Sequence, residues 1–163
     1  PYIPGSSMKG KVRALLARKY GIDHFNQDKT IRNLFEPVDE HDKGIFADTR
    51  TLFRDALLTK ESKEKLEKYL GEGVFTEIKA ENSINPLTSK AANPRFIERV
   101  PAGACFNGQI VLQIYEGDDE AKMMDHLKEG LQLLELNYLG ASGSRGYGRV
   151  NFNTMDFEEA GIK

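Results

Sequence analysis

The sequence has a single cysteine, Cys105, so it can form no intrachain disulfide and cannot build a cysteine-based zinc cage. Beside the apolar Phe106, Cys105 reads as a small buried residue rather than a nucleophile. Such sparing use of cysteine fits a reducing cytoplasm. There are three histidines, His24, His41 and His126, and none stands at ligand spacing from another. His126 lies beside an apolar stripe and reads as structural. Neither charge sign is in excess: 23 Lys and Arg against 25 Asp and Glu leave a net charge of −2. That balance excludes a uniformly basic surface, so any basic patch must be local. No apolar run approaches membrane-spanning length and no signal peptide is visible, so no membrane partner is expected. Internal repeats and low-complexity tracts are also missing.

With 163 residues the chain fits one domain, and it can bury roughly two thirds of its unfolded surface. "PGSSMKGKVRALLARKYG" reads as a helix, capped by Ser6 or Ser7 and ended by Gly21. Residues 22 to 46 show no sustained period and read as loop or short helices. Residues 49 to 58 read as a strand, and "KESKEKLEKYL" as a charged helix closed by Gly71. "VFTEIKAENSIN" alternates like a strand, "PLTSKAANP" is rich in breakers, and "RFIERV" is extended again. "FNGQIVLQIYEG" reads as one strand, with Phe106, Ile110, Leu112 and Ile114 on one face. A helix over 120 to 138 carries the stripe Met124, Leu127, Leu131, Leu134 and Tyr138, with Gly140 as its C′ residue. "RVNFN" reads as a last short strand. With the insertion from 59 to 101 set aside, the order is helix, strand, strand, helix, strand. That is a split β-α-β-β-α-β unit, an α+β fold without its first strand. The chain also opens at Pro1 without an initiator Met. Together these predict a further N-terminal segment before Pro1.

Two stretches carry candidate binding chemistry. "LGASGSRGYGRV" sets Arg145, Tyr147 and Arg149 among four glycines. It has no Walker lysine, and it runs helix, loop, strand, the reverse of phosphate-binding strand-loop-helix motifs. Bare amides flanked by arginines suit a long polyanion's backbone, and Tyr147 could stack on a base. A plain turn is the bland alternative. In the first helix, Ser6 and Ser7 sit where free amides and the helix dipole attract phosphate. Lys9, Lys11, Arg13, Arg18 and Lys19 follow with no acid among them; a solvated helix face is the alternative. In the insertion, Glu77, Glu81 and Glu98 lie among Lys79, Arg95 and Arg99. Salt bridges within a two-stranded arm account for these residues better than a metal site does. Pro86 and Leu87 at the arm's tip could wedge between bases.

"PYIPGSSMKGKVRALL", "NPRFIERV" and "LLELNYLGASGSRGYGRV" resemble, from Pro1 to about Phe152, the repeated backbone subunit of type III-A CRISPR effector (Csm) complexes, a part of the RAMP superfamily. The resemblance implies a single RAMP domain over 1–163, with a ferredoxin-like, RNA-recognition-like core and a thumb over about 75–100. It implies guide-RNA (crRNA) contacts through Ser6, Ser7, Lys9, Lys11, Arg13, Gly143, Ser144 and Arg145. The thumb would carry Lys79, Pro86, Leu87, Arg95 and Arg99. Implied partners are crRNA, target RNA, copies of the chain itself in a filament and other type III-A subunits, in a prokaryotic cytoplasm. Implied too is cleavage of target RNA with a divalent metal, Mg as the expected one, by an aspartate N-terminal to the "IPGSS" motif. No residue of this chain inherits that role, Asp48 and Asp55 included, so the chain as written is expected to be inactive. The competing readings are a non-catalytic paralogous or capping RAMP subunit and, further off, a nucleotide-binding enzyme.

Overall fold

The computed structural model describes residues 1–21, 29–36, 49–153 and 158–160. The chain divides into two compact units, Pro1–Pro4 with Asp55–Gln109, and Gly5–Arg54 with Ile110–Lys163. It is a mixed α/β chain with small antiparallel sheets.

The first unit contains β1 (Tyr2–Ile3), β3 (Ala56–Leu58), α3 (Lys60–Leu70), β4 (Glu77–Ile84), β5 (Ala91–Arg99) and β6 (Phe106–Asn107). Strands β1, β3 and β6 form an antiparallel sheet in the order β1-β3-β6. A strand therefore does precede the first helix, although the sequence pattern predicts none. In β3 the alternation is plain: Ala56 and Leu58 are buried while Leu57 faces solvent. Helix α3 begins because the Thr59 hydroxyl accepts the Ser62 amide at 3.2 Å. It stops where Gly71 donates its amide to the Glu67 carbonyl. Ser62 Oγ accepts the Cys105 amide at 2.8 Å, and Cys105 itself is exposed rather than buried. Its thiol donates to the Gly103 carbonyl at 3.8 Å.

Strands β4 and β5 make an antiparallel hairpin from Glu77↔Arg99 to Ile84↔Ala91. The breaker-rich stretch is shorter than its composition suggests, since β5 already starts at Ala91 and runs through Pro94. The register steps from Glu81↔Arg95 to Ser83↔Ala92, so Asn93 and Pro94 together oppose Asn82. This is a β-bulge, with Asn93 at φ +54°. It is one of the few sheet positions where a residue without an N–H costs nothing.

The second unit contains α1 (Gly5–Tyr20), α2 (Lys29–Phe35), β2 (Thr51–Phe53), β7 (Ile110–Leu112) and α4 (Glu120–Glu135). Strands β2 and β7 pair antiparallel, with Leu52 opposite Val111. Two runs that read as single strands are thus each divided. Arg54 and Asp55 separate β2 from β3, and Gly108 and Gln109 separate β6 from β7, with the halves in different sheets. The core joins Val12, Leu15 and Leu16 of α1, Ile31, Leu34 and Phe35 of α2, and Met123, Leu131 and Leu134 of α4. Helix α2 is one of the short helices allowed for over 22–46; with seven residues, it makes only two turns and shows no sustained period. Residues 22–28 and 37–46 of that range lie outside the described residues.

Helix α4 is capped by Asp119, whose carboxylate accepts the Lys122 amide at 3.0 Å. Its buried stripe runs through Met123 and His126 rather than Met124, and it ends at Glu135. Tyr138 and Gly140 therefore belong to the following loop, and Gly140 does not cap the helix. Residues 150–152 are not a strand. They are fixed instead by the Phe152 amide, which donates to the Glu135 carboxylate at 2.6 Å, while Val150 and Phe152 pack on the core.

Helices α1 and α4 approach closely at Gly130. A methyl group there would come within 2.5 Å of Val12 Cγ1 and 3.0 Å of Leu16 Cδ1. This explains a glycine in mid-helix, which otherwise costs about 1 kcal/mol against alanine. Beyond it, Glu129 accepts hydrogen bonds from Lys19 Nζ and, at 2.6 Å, from Tyr20 OH. The Tyr20 ring meets His126 edge-on at 5.4 Å. These bonds, Lys19 first and Tyr20 next, hold the Glu129 carboxyl below its usual pKa.

Gly130→Ala should lose stability by about 1–3 kcal/mol through overpacking, despite its gain in helix propensity. Urea unfolding measures it, and a stabilised variant would contradict the close approach. The Glu129 contribution is present above the unfolded carboxylate pKa of about 4.3 and is lost as the pH falls through its lower folded value. Melting temperatures of wild type and Glu129→Gln should therefore differ at pH 7 and converge in acid.

Candidate nucleic-acid interface

The first turn of α1 contains no acidic residue, so no side chain there offsets the positive end of its dipole. The helix starts at Gly5, so Ser6 and Ser7 lie inside its first turn instead of capping it. Both are exposed. Gly5 is buried against the backbone of Phe53 and Arg54, where any side chain would overlap the Phe53 carbonyl. That contact fixes the helix start beside the end of β2.

The basic residues of α1 are not equivalent. Arg13 pairs with Glu36 at 2.9 Å, and Lys19 pairs with Glu129. Lys9 turns inward and donates to Thr49 Oγ1 at 2.9 Å and to the Thr51 carbonyl at 3.2 Å. Burial first, and the nearby Arg13 charge second, lower its pKa. Lys11 sets its ammonium 3.7 Å from the centroid of the Tyr138 ring, a cation–π contact. Between these residues, Gly10, Arg13, Ala14 and Ala17 line a shallow surface groove.

The glycine-rich loop is a closed structure. Leu139 donates its amide to Gly148 O at 2.8 Å, which shuts the base. Gly143–Arg145 form one 3-10 turn, in which Gly146 N donates to Gly143 O at 3.0 Å. Gly148 has φ +70°, and a side chain there would overlap the Leu139 carbonyl. Gly143 lies flat against Tyr138, so that a Cβ would overlap the ring. Ser144 and Arg145 are exposed, and Arg145 Nη2 donates to Ser142 Oγ at 2.6 Å. Tyr147 is only 8% exposed, so it is a core residue and not a base-stacking platform. Its apolar ring is turned in by the same tight geometry that Gly146 and Gly148 permit. Arg149 is exposed.

Lys11, Tyr138 and Gly143 thus join the two predicted binding stretches within one unit. Ser6, Ser7, Ser144 and Arg145 are open to solvent, whereas Lys9 and Arg13 are engaged by the protein. Tyr138 is the residue that sequence reasoning misplaced, as the last step of a helical stripe.

On the hairpin, Arg99 bridges Glu77 at 2.7 Å, Lys79 lies 3.4 Å from Glu81, and Arg95 stands opposite Glu81. Glu77, Lys79, Glu81, Arg95 and Arg99 share one face, where two ion pairs form, whereas Glu98 stands opposite Ile78 on the other face and accepts from the Thr76 hydroxyl at 2.6 Å. The other face carries the exposed Ile78, Ala80 and Phe96, a pattern present in the alternation of "EIKAE" but not recognised as solvent-facing. At the tip, the Asn85 side chain accepts the amides of Leu87 and Thr88, and Leu87 is 94% exposed beside Pro86. His24, His41 and Asp48 lie outside the described residues, and His126 is buried in α4. Among the described residues, no three His, Cys, Asp or Glu side chains are placed to hold a metal ion.

The RAMP superfamily model matches residues 1–151, which gives the class of this fold. Among characterised sequences, the CRISPR system Cms endoribonuclease Csm3 of Mycobacterium tuberculosis is 41% identical over 95% of this chain and 70% of its own length. The protein of that name from Streptococcus thermophilus is 38% identical over 95% of this chain and 70% of its own. That from Methanocaldococcus jannaschii is 41% identical over 94% and 63%. Among solved structures, a chain from the crystal structure of a Csm3-Csm4 subcomplex in the type III-A CRISPR-Cas interference complex superposes with a TM-score of 0.56 at 32% identity. The match covers 91% of this chain and 59% of that one. The chain belongs to the RAMP superfamily and, within it, to the family of these Csm3 proteins.

Lys9→Ala should cost about 1 kcal/mol of folding stability, because it strips hydrogen bonds from half-buried acceptors. Arg145→Ala should stay within about 0.5 kcal/mol of wild type. Chemical denaturation of both checks that the two cations have different work.

Proposed function

We propose that this chain forms most of a guide-RNA-binding backbone subunit of a type III-A CRISPR interference complex. It would hold the guide by its phosphates, and base pairing would supply the specificity. The observation that carries this reading is the junction of Lys11, Tyr138 and Gly143. It joins a helix whose first turn carries no acid to a preformed loop bearing Ser144 and Arg145. Helix amides and an arginine beside bare backbone suit a polyanion of any sequence. The names of the relatives and of the structural neighbour support the same role.

In this reading residues 1–163 are one RAMP domain with a ferredoxin-like core. The β4–β5 hairpin is its thumb, presenting Pro86 and Leu87 to the guide–target duplex, with Lys79, Arg95 and Arg99 stiffening it. Copies of the subunit stack along the crRNA together with other type III-A subunits. The full-length protein cleaves bound target RNA with a divalent metal, Mg as the expected one, and acts in the prokaryotic cytoplasm. In this reading the cleaving aspartate lies N-terminal to the "IPGSS" motif, as the family resemblance implies. A capping or non-catalytic paralogue is the second reading; it shares the RNA surface and lacks cleavage.

The test is binding of unstructured single-stranded RNA by the full-length protein across a salt series. Each lost phosphate contact lowers the salt slope by about 0.7. The Lys11→Ala, Arg145→Ala double variant should therefore fall by about 1.4. An unchanged slope would remove these residues from the interface. Target cleavage that appears with Mg and stops with a chelator separates the catalytic subunit from its non-catalytic paralogue.

A further inference from the structure

Tyr138 follows the end of α4 by three residues and is half-buried, outside the core cluster. Its next neighbour, Leu139, packs on the core and closes the base of the glycine-rich loop through Gly148. The Tyr138 backbone is therefore fixed at the loop's root. Its ring makes two contacts: the Lys11 ammonium lies 3.7 Å from the centroid, and Gly143 presses on Cγ and both Cδ atoms. Both are made by the ring and neither needs the hydroxyl.

The choice of an aromatic here has an electrostatic consequence. Arg13 and Lys19 are held by the carboxylates of Glu36 and Glu129, which cancel their charge locally. A ring holds an ammonium through its quadrupole and leaves the full positive charge available to a second, anionic partner. The same ring requires that residue 143 have no side chain, and so sets where the Gly143–Arg145 turn can rest.

We propose that Tyr138 is a positioning residue that locks the glycine-rich turn against the second turn of α1, so that Lys11 and Arg145 engage one run of phosphates together. This rests on the guide-binding reading above but has a readout of its own. In the full-length protein, Tyr138→Phe keeps the ring, and Tyr138→Leu keeps bulk without a π face. Amide hydrogen exchange at Gly146, whose N–H bonds Gly143 O, reports the turn, with Leu131 and Leu134 of α4 as an internal reference for global unfolding. Single-stranded RNA binding across salt reports the phosphate contacts.

Tyr138→Phe should match wild type in both measurements. Tyr138→Leu should lose Gly146 protection while the α4 amides stay protected. Its salt slope should drop by about 1.4, two contacts' worth, even though both cations are still present. Tyr138→Leu with full protection and a wild-type slope overturns the proposal. So does Tyr138→Phe behaving like Tyr138→Leu. A uniform loss of protection in Tyr138→Leu, with α4 included and the slope unchanged, makes Tyr138 merely structural and overturns it too. If wild type ignores RNA while Gly146 protection still follows the ring, the lock stands and the guide-binding reading falls.

Discussion

The contact between α1 and α4 at Gly130 is the constraint on which the second unit depends. Because no side chain intervenes, the helices approach until Val12 and Leu16 occupy the space a Cβ would need. The pairings on either side run in opposite senses along the two elements. Lys11 meets Tyr138, Val12 and Leu16 meet Gly130, and Lys19 and Tyr20 meet Glu129 and His126. The two segments therefore cross antiparallel, and one dry contact places two polar ones at its ends. The polar contact near the end of α1 is a clasp. The other holds the loop that carries Arg145.

Charge on this chain is sorted more by pairing than by abundance. With 23 basic and 25 acidic residues the chain as a whole is not basic, although α1 carries five Lys and Arg and no acid. Exposed pairs such as Lys60 with Glu64 add little stability each. Their effect is to consume charge. Arg50 goes furthest: its guanidinium forks onto Asp118 at 2.7 and 3.4 Å, with Tyr115 4.2 Å beneath it. That pair is nearly buried, and it ties the start of β2 to the turn that leads into α4. Lys11, held by a ring instead of a carboxylate, keeps its field.

The sequence disclosed the long elements and missed the joints. Helices α1, α3 and α4 are legible from local apolar spacing and charge, although the caps read for α1 (Ser6, Ser7) and α4 (Gly140) are not the ones used, and the hairpin is legible from alternation. The divided strands are not. An alternating run looks the same whether its halves share a sheet or, as at Arg54–Asp55 and Gly108–Gln109, enter different ones. The Tyr147 side chain was taken for an exposed stacking group because loop composition says nothing about which ring a left-handed turn folds inward. The candidate phosphate-facing residues were found by type and spacing. Which of them are already occupied, as Lys9 is by Thr49 and Thr51, depends on contacts some forty residues away in sequence.

The bulge in the hairpin bears on a different problem. A two-stranded arm with an exposed apolar face and open edges is a template for pairing with a neighbour's arm. Here β5 lacks a backbone donor at Pro94, inside the bulge opposite Asn82, and Asn93, at φ +54°, twists the strand just beside it. An incoming strand would find a kinked track at the middle of the edge. A neighbouring strand therefore meets no straight edge to pair with, while Ile78 and Phe96 on the arm's apolar face stay exposed.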